Sequence, residues 1–193
     1  MNIDLKRLPN YLTISRVVAI PVLALVYFGL PSPWSNYLAA ILFIFASITD
    51  WLDAYLARRF HTSSSFGAFL DPVADKLMVA FALICLTTKF PTVWFVIPVG
   101  IIICREITVS ALREWMAQLG LQASVAVAFV GKVKTTVQMI AIIMLLWQHT
   151  FLGLPMAHFG LLALYLAALL TIWSMLVYFN GARKKLVQAG ESI

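Results

Sequence analysis

Long apolar runs alternate with short polar breaks along the whole chain, and the breaks fall at near-regular intervals. Hydropathy predicts six apolar helices, at roughly 12–30, 37–60, 68–88, 92–114, 124–147 and 158–180, each close to the ~20 residues a bilayer requires. The first is read as a retained helix, since no small-residue cleavage pattern ends it. The preceding Met1–Leu8 carries charge on one side of an apolar stretch and is expected to form a short amphipathic helix on the membrane surface. Ser32–Ser35 and Leu154-Pro155 read as plain connectors. The pattern describes an all-α polytopic membrane protein with six transmembrane helices, expected to form one domain over residues 1–193.

Composition agrees. Of 193 residues, 62% are hydrophobic and 11% charged, which excludes an ordinary soluble domain. The net charge of +6 is unevenly spread. With the N-terminus in the cytoplasm, Lys6, Arg7, Arg58, Arg59, Arg183, Lys184 and Lys185 fall inside and Lys89 is nearly alone outside. Both termini are therefore expected to be cytoplasmic. The basic excess is then a matter of topology and anionic membrane lipids, and implies no nucleic-acid partner. Cys85 and Cys104 lack metal-ligand spacing and are expected to be buried packing residues.

Against this apolar background the embedded charges stand out. Asp50 and Asp53 lie near the inner end of the second span, at depths of roughly 15 and 10 Å; Asp71 and Asp75 lie near the start of the third, at roughly 6 and 12 Å. Spacings of three and four residues put each pair on one helix face. Arg16, Arg105, Lys132 and Lys134 come from other spans at comparable depth. Charges within a membrane are too costly to scatter, so a single polar cavity open to the cytoplasm is expected. Carboxylates without His or Cys suit hard cations, and four of them match two divalent ions, Mg²⁺ or Mn²⁺. Basic residues beside them suggest a phosphate-bearing substrate and phosphoryl or phosphatidyl transfer. The plainer reading pairs the aspartates with Arg16, Arg58 and Lys76, and a divalent-cation transporter could use the same carboxylates.

The run Asp50-x2-Asp53-Ala54-x2-Ala57-Arg58-x8-Gly67-x3-Asp71-x3-Asp75 matches seven of eight fixed positions of a 26-residue signature. It resembles that of the CDP-alcohol phosphatidyltransferase family. The resemblance implies that Asp50, Asp53, Asp71 and Asp75 hold the metals and that Asp75 is the general base. It also implies that Ala57, Arg58 and Gly67 line the donor nucleotide site. Ala54 departs from the pattern, which has glycine there, and adds a methyl beside the nucleotide. Further segments, Pro9-Asn10-x2-Thr13-x2-Arg16, Arg105 to Glu114 and Gly131-Lys132-Val-Lys134, resemble the branch whose acceptor is glycerol 3-phosphate. By that resemblance CDP-diacylglycerol is the donor, CMP is released, and the protein is a homodimer of the bacterial inner membrane with its active site facing the cytoplasm.

The residues themselves favour an anionic acceptor. Arg105, Arg113, Lys132 and Lys134 supply more positive charge than a neutral alcohol needs. Arg105 and Arg113 lie about 80° apart around their helix, so both can flank one pocket. Lys132 and Lys134 are roughly 160° apart, so one is expected to touch the acceptor phosphate, with Lys132 favoured, and the other to meet a carboxylate on a neighbouring helix or a lipid headgroup. Asn10, Thr13 and Arg16 are expected to contact the donor, since a Thr-x2-Arg face would be expensive in lipid. Glu106 is expected to orient Arg105 or Lys132. His149 and His158 are expected at the outer surface. Another alcohol acceptor remains the nearest rival.

Overall fold

The computed structural model describes the backbone of residues 8–60, 65–120 and 125–188, and the side chains of 14–50, 52, 70, 72–120 and 131–187. The protein is all-α. Its described residues form six helices: α1 Leu8–Gly29, α2 Trp34–Phe60, α3 Ser65–Lys89, α4 Val93–Gln118, α5 Val125–Trp147 and α6 Met156–Gln188. All six correspond to the hydropathy segments. Several run past the expected limits, α6 by eight residues, because the apolar stretch measures bilayer thickness while helical hydrogen bonding continues into water. Met1–Leu8, apart from the last of these residues, lies outside the described residues.

Val93–Gln118 and Met156–Val187 are long and apolar enough to cross a membrane, and Ile14–Gly29 and Trp34–Asp50 are shorter apolar helices. Many large apolar side chains point outward, among them Leu25, Phe28, Trp94, Leu162 and Leu169. In water, so much exposed apolar surface would drive association; against lipid it is the expected exterior.

The chain divides into two compact units, Met1–Lys89 with Ile142–His158, and Phe90–Ala141 with Phe159–Ile193. In the first, α1 packs on both α2 and α3. Its interior combines Leu23, Phe43, Leu83 and Leu86 with Ala39, Ala40, Ala46, Ala74 and Ala82. Small residues let helix backbones approach closely where the hydrophobic effect cannot drive association. Ile142, Leu145 and Leu146 of α5 complete this interior.

The segment between α5 and α6 is more structured than a plain connector. Thr150–Phe151 (β1) and Leu154–Pro155 (β2) pair antiparallel through a two-residue turn at Leu152 and Gly153, with φ of 50° and 80°. Positive φ at both central positions is the hairpin turn that matches strand twist. Asn36, fully buried, donates from its amide nitrogen to Gln148 at 2.9 Å and lies 3.3 Å from the His149 ring nitrogen. Its carbonyl accepts from Lys89, whose ammonium also sits 4.6 Å from the centre of the Tyr27 ring. His149 packs against the Tyr37 ring at a tilt of 53° and is half-buried, contrary to a surface placement, because this polar knot draws it inward. His158 is exposed as expected.

In the second unit, α4 ends at a left-handed Gly120, φ 73°, with the amides of Leu119 and Gly120 closing on Trp115 and Ala117 carbonyls. Val109 and Met116 of α4 pack with Tyr178 and Ala182 of α6. Cys85 is buried but Cys104 is exposed, so the expectation for Cys104 is corrected: lying within an apolar helix does not require being covered by protein.

Candidate active site

In the first unit the charged site begins with Arg16. It lies two turns into α1, is only 2% exposed, and its Nη1 donates to Asp50 Oδ1 of α2 at 2.5 Å. A buried guanidinium must be paired, and the antiparallel approach of α1 and α2 brings a carboxylate to its level. This is one of the pairings allowed by the plainer reading of the aspartates. It does not use up Asp50. That side chain is 39% exposed, and a carboxylate offers four lone pairs on two oxygens, enough for an arginine and a cation together.

Asp75 sits part-buried in α3, in the same unit. The side chains of Asp53 and Asp71, like those of Asn10, Thr13, Ala54, Ala57, Arg58 and Gly67, lie outside the described residues. Their backbones are helical, which keeps the three- and four-residue spacings on single helix faces. Among the described residues no three His, Cys, Asp or Glu side chains gather as metal ligands, and only two of the four aspartates belong to that set. The donor set itself, carboxylate oxygens alone, fits a hard divalent ion.

In the second unit the basic residues separate into two kinds. Arg105 of α4 is 9% exposed and Lys134 of α5 is 3% exposed. Both converge on one carboxylate: Arg105 Nη1 donates to Glu106 Oε1 at 3.2 Å, and Lys134 Nζ donates to the same oxygen. Arg105 Nη2 donates to Ser174 Oγ of α6 at 2.8 Å. Three helices thus meet around a single guanidinium. Lys132 and Arg113 are exposed instead. Arg113 lies with its guanidinium carbon 5.9 Å from the centre of the Tyr178 ring, a cation–π distance.

The spacing argument for the lysines holds in this arrangement. Lys134 is the one that meets a neighbouring helix carboxylate, and Lys132 stays accessible. Glu106 orients Arg105 as expected, but its lysine is Lys134 and not Lys132, because Lys134 is the one on the inward face of α5. Arg105 and Arg113 do not share an environment: one is buried in the polar cluster, the other lies on the α4 surface.

Two buried hydroxyls of α6 were not singled out from the sequence. Ser174 and Thr171 are essentially inaccessible, and Ser174 Oγ donates to the Thr171 carbonyl at 3.0 Å. The available signal was their three-residue spacing on one face of an otherwise apolar helix. Isolated hydroxyls are common in membrane helices, where they bond their own backbone, so that signal is faint.

Comparison with known proteins bears on the whole of this arrangement. The CDP-alcohol phosphatidyltransferase family model matches residues 6–173. The chain is 48% identical over 180 residues to the CDP-diacylglycerol–glycerol-3-phosphate 3-phosphatidyltransferase of Escherichia coli strain K12, covering 93% of this chain and 97% of the relative. The protein of the same name from Shigella flexneri serotype 5b, strain 8401, is similar to the same extent. The match runs from the first helix into the last, through every segment that carries an embedded charge, and on that evidence the chain belongs to the CDP-alcohol phosphatidyltransferase family.

Proposed function

We infer that this protein transfers the phosphatidyl group of CDP-diacylglycerol to glycerol 3-phosphate, releasing CMP and phosphatidylglycerol phosphate. The observation that carries this is the near-full-length likeness to enzymes named for that reaction. The protein works as an integral membrane enzyme, with six spans, both termini in the cytoplasm, and its chemistry at the cytoplasmic face of a bacterial inner membrane. The positive-inside pattern and the outward apolar side chains support that placement. It acts as a homodimer by resemblance to the family.

Asp50, Asp53, Asp71 and Asp75 hold two divalent ions, Mg²⁺ or Mn²⁺. When bound, those ions neutralise the donor pyrophosphate and the departing CMP. Arg16, with Asn10 and Thr13, contacts the donor, and Ala57, Arg58 and Gly67 line its nucleotide. The acceptor's phosphate is held by Arg105 from the buried side and by Lys132 and Arg113 from the exposed side, while Lys134 acts through Glu106. Asp75 removes the proton from the C1 hydroxyl of glycerol 3-phosphate. That oxygen forms a bond to the β-phosphorus, the phosphorus–oxygen bond to CMP breaks, and no protein side chain becomes covalently attached.

The test is CMP release by the purified protein from CDP-diacylglycerol with Mg²⁺. It is expected with glycerol 3-phosphate and absent when serine, inositol phosphate or phosphatidylglycerol is the sole acceptor. Asp75→Asn is expected to abolish turnover with donor binding largely retained. Metal flux into sealed vesicles without CMP release would instead establish a transporter.

A further inference from the structure

Ser174 stands on α6, a helix to which none of the substrate assignments above gives a residue, and its side chain is 1% exposed. Its hydroxyl carries one proton, and that proton is committed to the Thr171 carbonyl at 3.0 Å. Only lone pairs are left to face Arg105, whose Nη2 donates to Ser174 Oγ at 2.8 Å. The other terminal nitrogen, Nη1, is held by Glu106 at 3.2 Å. Acceptors on two different nitrogens fix both the reach of the guanidinium and the rotation of its plane.

We propose that Ser174 is a positioning residue for the acceptor, orienting the Arg105 guanidinium toward the phosphate of glycerol 3-phosphate with Glu106 as the second anchor. The proposal rests on the assignment of Arg105 to acceptor binding. A guanidinium recognises phosphate through a rigid planar fork, so its plane has to be right before the ligand arrives. Serine is suited to this because it is neutral. A second carboxylate would orient the arginine equally well but would cancel the charge the phosphate needs. Glu106 meets the same requirement differently, since its charge is divided between Arg105 and Lys134.

A serine that only filled space or stabilised the helix bundle would affect donor and acceptor alike. The experiment therefore measures steady-state CMP release by the full-length protein in mixed micelles, varying each substrate while the other is saturating. Ser174→Ala is expected to raise KM for glycerol 3-phosphate about tenfold, the size of one lost hydrogen bond to a charged group, with kcat and the donor KM changed less than about twofold. Ser174→Cys, which keeps the shape but accepts weakly, is expected to fall between parent and alanine variant, and replaces it if the alanine variant does not fold. In an Arg105→Lys background, Ser174→Ala is expected to add less than about twofold, because the two residues act as one. Equal effects in both backgrounds, or equal changes in both KM values, would overturn the positioning role. A parent protein whose CMP release does not depend on glycerol 3-phosphate would overturn the acceptor assignment itself, whatever Ser174 does.

Discussion

At the scale of single residues, burial sorts cations that look alike in the sequence. Lys132 and Lys134 are two residues apart on α5, yet one is exposed and the other is sealed against Glu106. Their loss should therefore have different consequences. Lys132→Ala is expected to raise KM for glycerol 3-phosphate several-fold and leave thermal stability in detergent nearly unchanged, as surface substitutions do. Lys134→Ala removes one of the two cations on the half-buried Glu106 and is expected to lower stability by about 2 kcal/mol, seen as a drop of several degrees in Tm. Equal stability losses for the two variants would contradict this division. The 160° between the positions was readable from helical geometry. Which face turned inward was not, because α5 is apolar on all sides.

At the scale of elements, the six helices were legible because each carries a long apolar run, and a helix satisfies its own backbone hydrogen bonds within such a run. Their ends were less so. α1 begins at Leu8 and α6 continues to Gln188, beyond the hydropathy limits, since hydrogen bonding does not end where lipid does. The hairpin between α5 and α6 escaped notice for another reason: two-residue strands have no detectable period, and Leu152 is an unusual occupant of a left-handed turn position. Gly153 at φ 80° meets that requirement without strain, and nothing crowds its missing side chain. Gly153→Ala is accordingly expected to cost about 1 kcal/mol through backbone strain alone, measurable as a small Tm decrease without a change in either KM. A loss of catalytic activity would mean that the hairpin does more than close a turn.

At the scale of the whole molecule, the proposed orientation in a membrane rests on the distribution of charge. Arg183, Lys184 and Lys185 close the last helix with a basic cluster, and the first helix is preceded by Lys6 and Arg7. A reporter fused to the C-terminus is expected to behave as cytoplasmic: a fluorescent protein folds and a periplasm-dependent phosphatase stays inactive. The opposite result would reverse the topology and place the aspartates at the wrong face for a cytoplasmic nucleotide donor.

The sequence alone determined the family and the class of reaction, and it proposed the carboxylate pairs. Those depend on residue type and on spacing within one helix, and a helix converts spacing directly into a shared face. Tertiary structure decided which charges meet across helices: Arg16 with Asp50, Lys134 with Glu106, and Arg105 with a serine 69 residues away. Such partnerships arise from how helices rotate and pack against one another. In a chain whose helices are apolar on nearly every side, no periodicity records that rotation, and only the packed bundle reveals it.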